Sequence, residues 1–492
     1  MNVRKKGIAR NAVIAVICIT IISLSGCGAE QLPLSESVEV TNTTTATPKE
    51  LSMDEKWAIL EEAYIYTFPV MLMDATRAKM TNTIEATYKQ APVNQFIHSQ
   101  NLTNAKKKDV VTPNVDTVYS QVYLDLSKDG VVFYKPAVER FCSVELIDAF
   151  TNCVDVLGTG GDTQDANTYL LAGPDFEGKV PSDMTRVDMP TNDAWMLIRT
   201  AVFGEEDMEN VYAIQKEMKI EPLAAWLSPE QEAVEQGSFD EALNEIIPLE
   251  KELSLPPKEF FRQANILLEK NQPPTADKEI LAKMAQIGVG PRRTFDIAEF
   301  GTAEEIHSKW EAMLKGAKTK LQAIGKEHMI PMGNWSYYGE PIAEFGTEYD
   351  YRALIALGGL GANPTYVAIY PRLDSINGEP LDGDKKYVIH FEKDEAPPVE
   401  ENGFWSITAY GADNFLIDNE IDRYLINDRS KLKYNQDGSL DILLQAAAPE
   451  DASMMGNWLP VTGNYHLYMR IYLPDESILE GQWKAPTIQM VE

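Results

Sequence analysis

The sequence predicts an α+β fold, mainly β, built as two related β-sandwich, jelly-roll-like halves from an internal duplication and joined by a mid-chain helical segment. Three observations predict it. Short runs of alternating apolar and polar residues, rich in aromatic and β-branched side chains and separated by turn residues, fill roughly 91–204 and 336–492. Between them, over 205–335, the apolar spacing changes to i, i+3 and i+4. Three strings also recur in the same order in both β-rich stretches.

Composition bounds the function. The chain has 492 residues with 44 Lys+Arg against 75 Asp+Glu, a formal charge of -31. This excludes nucleic acid as a partner, because backbone phosphates must be neutralised by Lys and Arg. At 44% hydrophobic and 24% charged residues the composition is globular, and the length allows two or more cored domains.

The elements follow in order. Arg4, Lys5, Lys6 and Arg10 precede an apolar run over 12–23, which is too short to span a bilayer comfortably. It ends in Leu24-Ser25-Gly26-Cys27, which resembles a bacterial lipobox. That resemblance implies that 1–26 is a lipoprotein signal peptide and that acylated Cys27 anchors the protein to a lipid bilayer on the extracytoplasmic side of the cell envelope. Each buried methylene contributes about 0.8 kcal/mol to such an anchor. Residues 27–52, rich in Ser, Thr, Glu and Pro, read as a disordered tether. A leading helix over 53–80 opens the first β-rich domain, 53–204. The helical insert, 205–335, is predicted to hold helices over 207–226, 257–271, 275–287 and 303–328, the last with Ile306, Trp310, Met313, Leu314 and Leu321 on one stripe. The second β-rich domain is 336–492.

The repeated strings are specific. Phe141-Cys142-Ser143-Val144 matches Phe404-Trp405-Ser406-Ile407, each followed by a polar turn ending in Asn152 or Asn414. Upstream, Pro113-Asn114 with Tyr119 and Asp125 matches Asn363-Pro364 with Tyr370 and Asp374. Downstream, an apolar strand carries Arg199 in the first stretch and Arg470 in the second. A turn near Ile147 and Asp148 would set Cys142 opposite Cys153, with Cα atoms roughly 4.5–5.5 Å apart. A disulfide between them is the expectation in an oxidising compartment, two separate buried thiols the alternative.

Two further groups of motifs carry a family resemblance. Asn94-Gln-Phe-Ile-His98, Val111-Thr-Pro-Asn-Val-Asp-Thr-Val-Tyr-Ser120, Arg140-Phe141, Asp148 and Asn152 resemble domain of unknown function 1254. Tyr351-Arg-Ala353, Leu381-Asp-Gly383, Tyr387-Val-Ile-His-Phe391, Phe404-Trp-Ser406, Asn457-Trp-Leu-Pro460 and Arg470-x-Tyr472 resemble domain of unknown function 1214. The resemblance implies an exported bacterial protein with β-sandwich halves around a helical insert, and it supplies no mechanism. Cys142 stands where that family more often has an aromatic residue, which favours the disulfide.

Zinc-protease, α/β-hydrolase, phosphate-loop and paired Cys-x-x-Cys motifs are absent from the sequence, and no cofactor is indicated. The five His (98, 307, 328, 390 and 466) are too few for a rich metal site. The run 435–441 alternates oxygen side chains but reads as an Asp-Gly hairpin turn rather than a calcium loop. The best candidate constellation is Asn114, Asp116, Tyr119, Arg140 and Arg199, with Arg470 matched to Arg199. Asn114 and Asp116 either cap a turn, or Asp116 is a general acid or base with Tyr119 and Arg199 holding an oxyanion. A guanidinium among apolar strand residues needs a partner. For Arg199 and Arg470 it is either a carboxylate of the fold, such as Asp148, or an anionic ligand between the halves. Two functions follow. One is a membrane-anchored lipoprotein that binds a small or anionic ligand between the halves; the other is an extracytoplasmic hydrolase or lyase using Asp116, Tyr119 and Arg199. The first is favoured because no nucleophile–base pair can be read.

Overall fold

The computed structural model describes residues 50–108, 111–228 and 236–491. The predicted signal peptide, Cys27 and nearly all of the tether lie outside the described residues. Helix α1 (Met53–Met80) starts where predicted: Ser52 and Glu55 form a capping box that satisfies the free N–H groups of the first turn. It is buried on almost every side, and it shares one hydrophobic core with α3 (Pro257–Lys270), α4 (Lys278–Ala285), α5 (Ala303–Glu327) and α6 (Tyr349–Gly359). Trp57, Phe260, Phe261, Trp310 and Ala353 meet there. Leu51–Glu492 is one compact unit.

One predicted helix is broken. The period over 207–226 yields α2 (Met208–Glu217), but Lys219–Pro222 is a strand. It pairs antiparallel with β2 (Val131–Lys135), so ladder hydrogen bonds override local helix preference.

The fold is α+β, mainly β, with curled sheets. In the first β-rich stretch, a five-stranded antiparallel sheet runs in the order Ile97–His98, β1 (Thr117–Asp125), β6 (Asp193–Ala201), β3 (Cys142–Asp148), β4 (Cys153–Gly158). One face packs its Val122, Val144, Met196 and Ile198 onto Phe133 of β2 and Leu171 of β5 (Asn167–Ala172), which belong to a second sheet. The other face packs Tyr123, Ile147, Trp195 and Leu197 with Met73 of α1. Further along that face lie Tyr119, Arg199 and Ser143, aligned across β1, β6 and β3.

The second stretch centres on β10 (Asn464–Pro474). It pairs with β8 (Val399–Gly411) on one side and with the short strands Ala368–Ile369, Arg372–Leu373 and Glu379–Asp382 on the other. Trp405, Ile407, Leu467, Met469 and Ile471 pack onto Ile389 of β7 (Lys386–Phe391) and Ile442 of β9 (Leu440–Gln445). Arg470 lies opposite Ser406, and Tyr370 comes one residue past the Ile369–Ile471 pair, level with Arg470. An apolar seam of Phe141, Ala201, Val367, Phe404 and Tyr472 joins the two stretches.

The expected Cys142–Cys153 disulfide is not formed. Both thiols are free and buried. The hairpin is present, but Asp148 Oδ1 accepts from the N–H groups of Phe150 and Asn152, which moves the turn beyond Asp148. Cys153 then pairs with Ile147, while Cys142 meets Thr159 at the far end of the hairpin.

Candidate functional site

The predicted site residues other than Arg140 come together where the polar faces of the two β-rich stretches meet. Arg199 is 4% exposed. Its Nη1 donates to Glu145 Oε2 at 2.6 Å and Asn363 Oδ1 at 2.8 Å, and its Nη2 donates to the Gly361 carbonyl at 2.5 Å. Its carboxylate partner is therefore Glu145, and Asp148, the partner the sequence suggests, is spent on its own turn. Glu145 sits two residues beyond Ser143 on β3, the same-face position diagonal to Arg199. Burial pushes Glu145 up to about 7 against the pull of Arg199. Burial works against the Arg199 charge as well, but Glu145 outweighs it and keeps the guanidinium protonated.

Arg470, 5% exposed, has neutral oxygen partners. Nη1 donates to Thr408 Oγ1 at 3.0 Å; Nη2 donates to Tyr410 Oη at 2.7 Å and to the Thr112 carbonyl at 3.2 Å. Thr408 stands two residues beyond Ser406 on β8, as Glu145 stands beyond Ser143. Both accepting carbonyls come from left-handed residues, Thr112 with φ 46° and Gly361 with φ 79°. Glycine is required at 361 on a second ground, since a Cβ there would lie 2.8 Å from the Trp195 ring.

Asn114 does cap its turn: Oδ1 accepts from Asp116 N–H at 2.8 Å and Thr117 N–H at 3.3 Å. Its Nδ2 reaches Tyr472 Oη at 2.6 Å and Tyr119 Oη at 3.3 Å. Asn363 Nδ2 likewise donates to Tyr370 Oη at 2.6 Å. Burial raises Tyr370 to about 12, with Arg199 pulling the other way. Asn114, Tyr119 and Tyr370 are half-buried.

Asp116 does not cap the turn. It is 1% exposed, and Oδ2 accepts from Ser406 Oγ at 2.5 Å. Oδ1 lies 3.7 Å from Arg429 Nη2 and has no hydrogen-bond partner. Burial raises the Asp116 carboxyl above the usual carboxylate range, although Arg470, Ser406, Arg429 and the Asn427 side chain all favour its charged form. Arg140 stands nearer the surface, where it is paired with Asp207 and lies 4.5 Å from the Phe203 ring.

The matched strings point to Glu145 and Thr408 through the residues two positions beyond each Ser. Arg429, which follows the short strand Leu425–Asn427, has no counterpart in the first stretch and no sequence signal. Among the described residues no group of three or more His, Cys, Asp or Glu is placed to hold a metal ion. The oxygens of 435–441 serve their own turn, with Asp437 Oδ1 accepting from Ser439 and Asp441 pairing with His390 at 2.6 Å.

Comparison with known proteins agrees with this architecture. Residues 93–222 match a family described as "Protein of unknown function (DUF1254)", and residues 367–476 match "Protein of unknown function (DUF1214)". The two matches fall in the expected order, on either side of the mid-chain helices. Among curated proteins none matches. The VPA0106 protein from Vibrio parahaemolyticus has a similar crystal structure, at 22% identity and TM-score 0.65, covering 89% of this chain and 100% of that one. At that identity the likeness shows the fold alone. An uncharacterised protein from Burkholderia cenocepacia aligns at 12% identity and TM-score 0.41 over 89% of this chain and 94% of its own.

Proposed function

We propose that the protein is a lipoprotein, tethered through acylated Cys27 to a membrane of the cell envelope. In this reading it binds a small polar or anionic ligand between two β-sandwich halves descended from one duplicated unit. One observation carries this reading: the reciprocal use of the two loops. The carbonyl two residues before Asn114 accepts from Nη2 of Arg470, and the carbonyl two residues before Asn363 accepts from Nη2 of Arg199. Each half therefore makes the same contact with the other, as copies related by a two-fold axis do. Phe141 and Phe404, which occupy matched string positions, also meet each other with ring centroids 5.7 Å apart.

The ligand-facing groups in this reading are the half-buried Asn114, Tyr119 and Tyr370, with Tyr472 behind them and Arg199 and Arg470 as walls. Four phenol and amide groups offer both donors and acceptors, which suits a small oxygen-rich ligand. Native and denaturing mass spectrometry of the full chain, purified without added metal, tests it. The expected result is a mass excess under native conditions only, lost in the Tyr119→Phe/Tyr370→Phe double variant. No excess, together with no shift in unfolding temperature across a panel of small polar and anionic compounds, would reject it.

The burial of Asp116 favours a second reading. A buried carboxyl raised above the usual carboxylate range suits a general acid, which would make the protein a hydrolase or lyase with Tyr119 and Arg199 on the developing oxyanion. Asp116→Asn separates the two: turnover disappears on the enzyme reading, while ligand retention survives on the binding reading.

A further inference from the structure

Arg429 is held in an unusual way. Nη1 donates to Asp428 at 2.9 Å, and the guanidinium lies 4.2 Å from the Phe404 ring and 5.2 Å from the Phe203 ring. Stacking of this kind fixes the plane of the group. Nε and Nη2, the two donors along one edge of that plane, are buried and have no hydrogen-bond partner. Facing them is Oδ1 of Asp116, also buried and without a partner, 3.7 Å from Nη2 and thus beyond hydrogen-bond reach. Three partnerless polar atoms in one buried spot are costly.

We propose that this gap between Arg429 and Asp116 anchors the carboxylate of a small monoanionic ligand. The inference rests on the binding reading above and names the group by which the ligand is held. The Nε–Nη2 edge of a guanidinium matches the two oxygens of a carboxylate. One of those oxygens, about 2.8 Å from both Nη2 and Asp116 Oδ1, satisfies both atoms at once.

Charge supports the same assignment. The groups facing Asp116 are Arg470 and Tyr472 from β10, Tyr410 from β8, and Arg429 and Asp428 beyond the strand Leu425–Asn427. With Asp116 protonated, as burial favours, two guanidiniums face one carboxylate, Asp428, and a single negative charge restores balance. Asp116 then donates its proton to the ligand oxygen. A dianionic phosphate would overshoot that balance beside Asp428. Arg140 does not compete, because Asp207 already holds it. Phe203, 50% exposed, marks the way in from the surface.

Isothermal titration of the full chain in detergent tests this, using acetate and benzoate as probes with acetamide, benzamide and inorganic phosphate as controls. The two carboxylates bind and the two amides do not. Arg429→Lys, which keeps the charge but loses the fork, weakens benzoate binding about tenfold or more. Asp116→Asn, which keeps a donor but cannot titrate, removes the loss of affinity that wild type shows as rising pH takes the Asp116 proton. Equal binding of benzoate and benzamide, stronger binding of phosphate, or unchanged affinity in folded Arg429→Lys would each overturn the proposal. If no carboxylate binds while native mass spectrometry still shows a retained ligand, the anchor fails and the binding reading stands. If neither is seen, both fail.

Discussion

Arg199 on β6 and Arg470 on β10 occupy corresponding places, each opposite a Ser with a Tyr at its other side, yet their charges are balanced differently. Arg199 has its counter-charge inside its own sheet, in Glu145. At the corresponding position Arg470 has Thr408, and the carboxylate that favours its charge is Asp116, which belongs to the other β-rich stretch. The first arrangement has its counter-charge within one sheet, while Nη1 and Nη2 of Arg199 also donate to Asn363 and Gly361 of the other stretch and Nε is buried without a partner. The second is open: Arg470 donates only to neutral oxygens, and one oxygen of Asp116, the buried acid of the other stretch, stays unpartnered. A buried charge satisfied within its own sheet is structural; one satisfied from across an interface ties charge balance to how the two parts meet. The difference explains why the room for ligand chemistry lies on the Arg470 side.

The most direct way to break this comparison is to remove each arginine in turn. Arg199→Leu leaves Glu145 buried without its partner and should destabilise the fold by about 3–5 kcal/mol in denaturant unfolding. A pH series with Glu145→Gln sharpens the same point. Glu145 is raised from 4.5 to about 7 in the folded state, so its contribution to stability is fully present below pH 4.5 and is lost as pH rises through 7. The glutamine variant lacks that dependence. The stability difference between it and wild type should therefore move in its favour by on the order of 3 kcal/mol across the window. Arg470→Leu, which strands only neutral acceptors and an Asp116 able to hold its proton, should cost less, about 1–3 kcal/mol. Equal costs for the two arginine variants would show that the environments do not differ as described.

How far the sequence reaches into this site depends on whether a residue has a twin. Asn114, Tyr119, Arg199 and Arg470 are legible because matched strings single them out, and the structure brings all four to one place. Asp116 is legible as a residue but not in its role, since the Asn114 oxygen does the turn capping that either side chain could do. Glu145 is obscured because the hairpin turn falls beyond Asp148 rather than at it, which frees the nearer acid for Arg199. Arg429 could not be found, because it sits in a connection with no counterpart in the first stretch and its importance comes from stacking on Phe203 and Phe404. Among the elements, α1 is found with the bounds expected, 53–80. The break in the predicted 207–226 helix is not legible, because it depends on a pairing with a strand some ninety residues earlier.

The smallest expected effect bears on the register that the comparison depends on. Cys142 and Trp405 stand between Phe and Ser in the matched strings, and both side chains point away from the arginine layer into the outer cores. If β3 pairs with β4 so that Ile147 meets Cys153, then Cys142 is too far along the hairpin for a bridge. Unfolding midpoints with and without a reducing agent should then coincide, and alkylation of the denatured, unreduced chain should label both Cys142 and Cys153. A fall in the midpoint on reduction would instead require the two cysteines to lie opposite each other. That would shift β3 along the sheet and move Ser143 and Glu145 away from Arg199 together, since the strand that carries them is the one that carries Cys142.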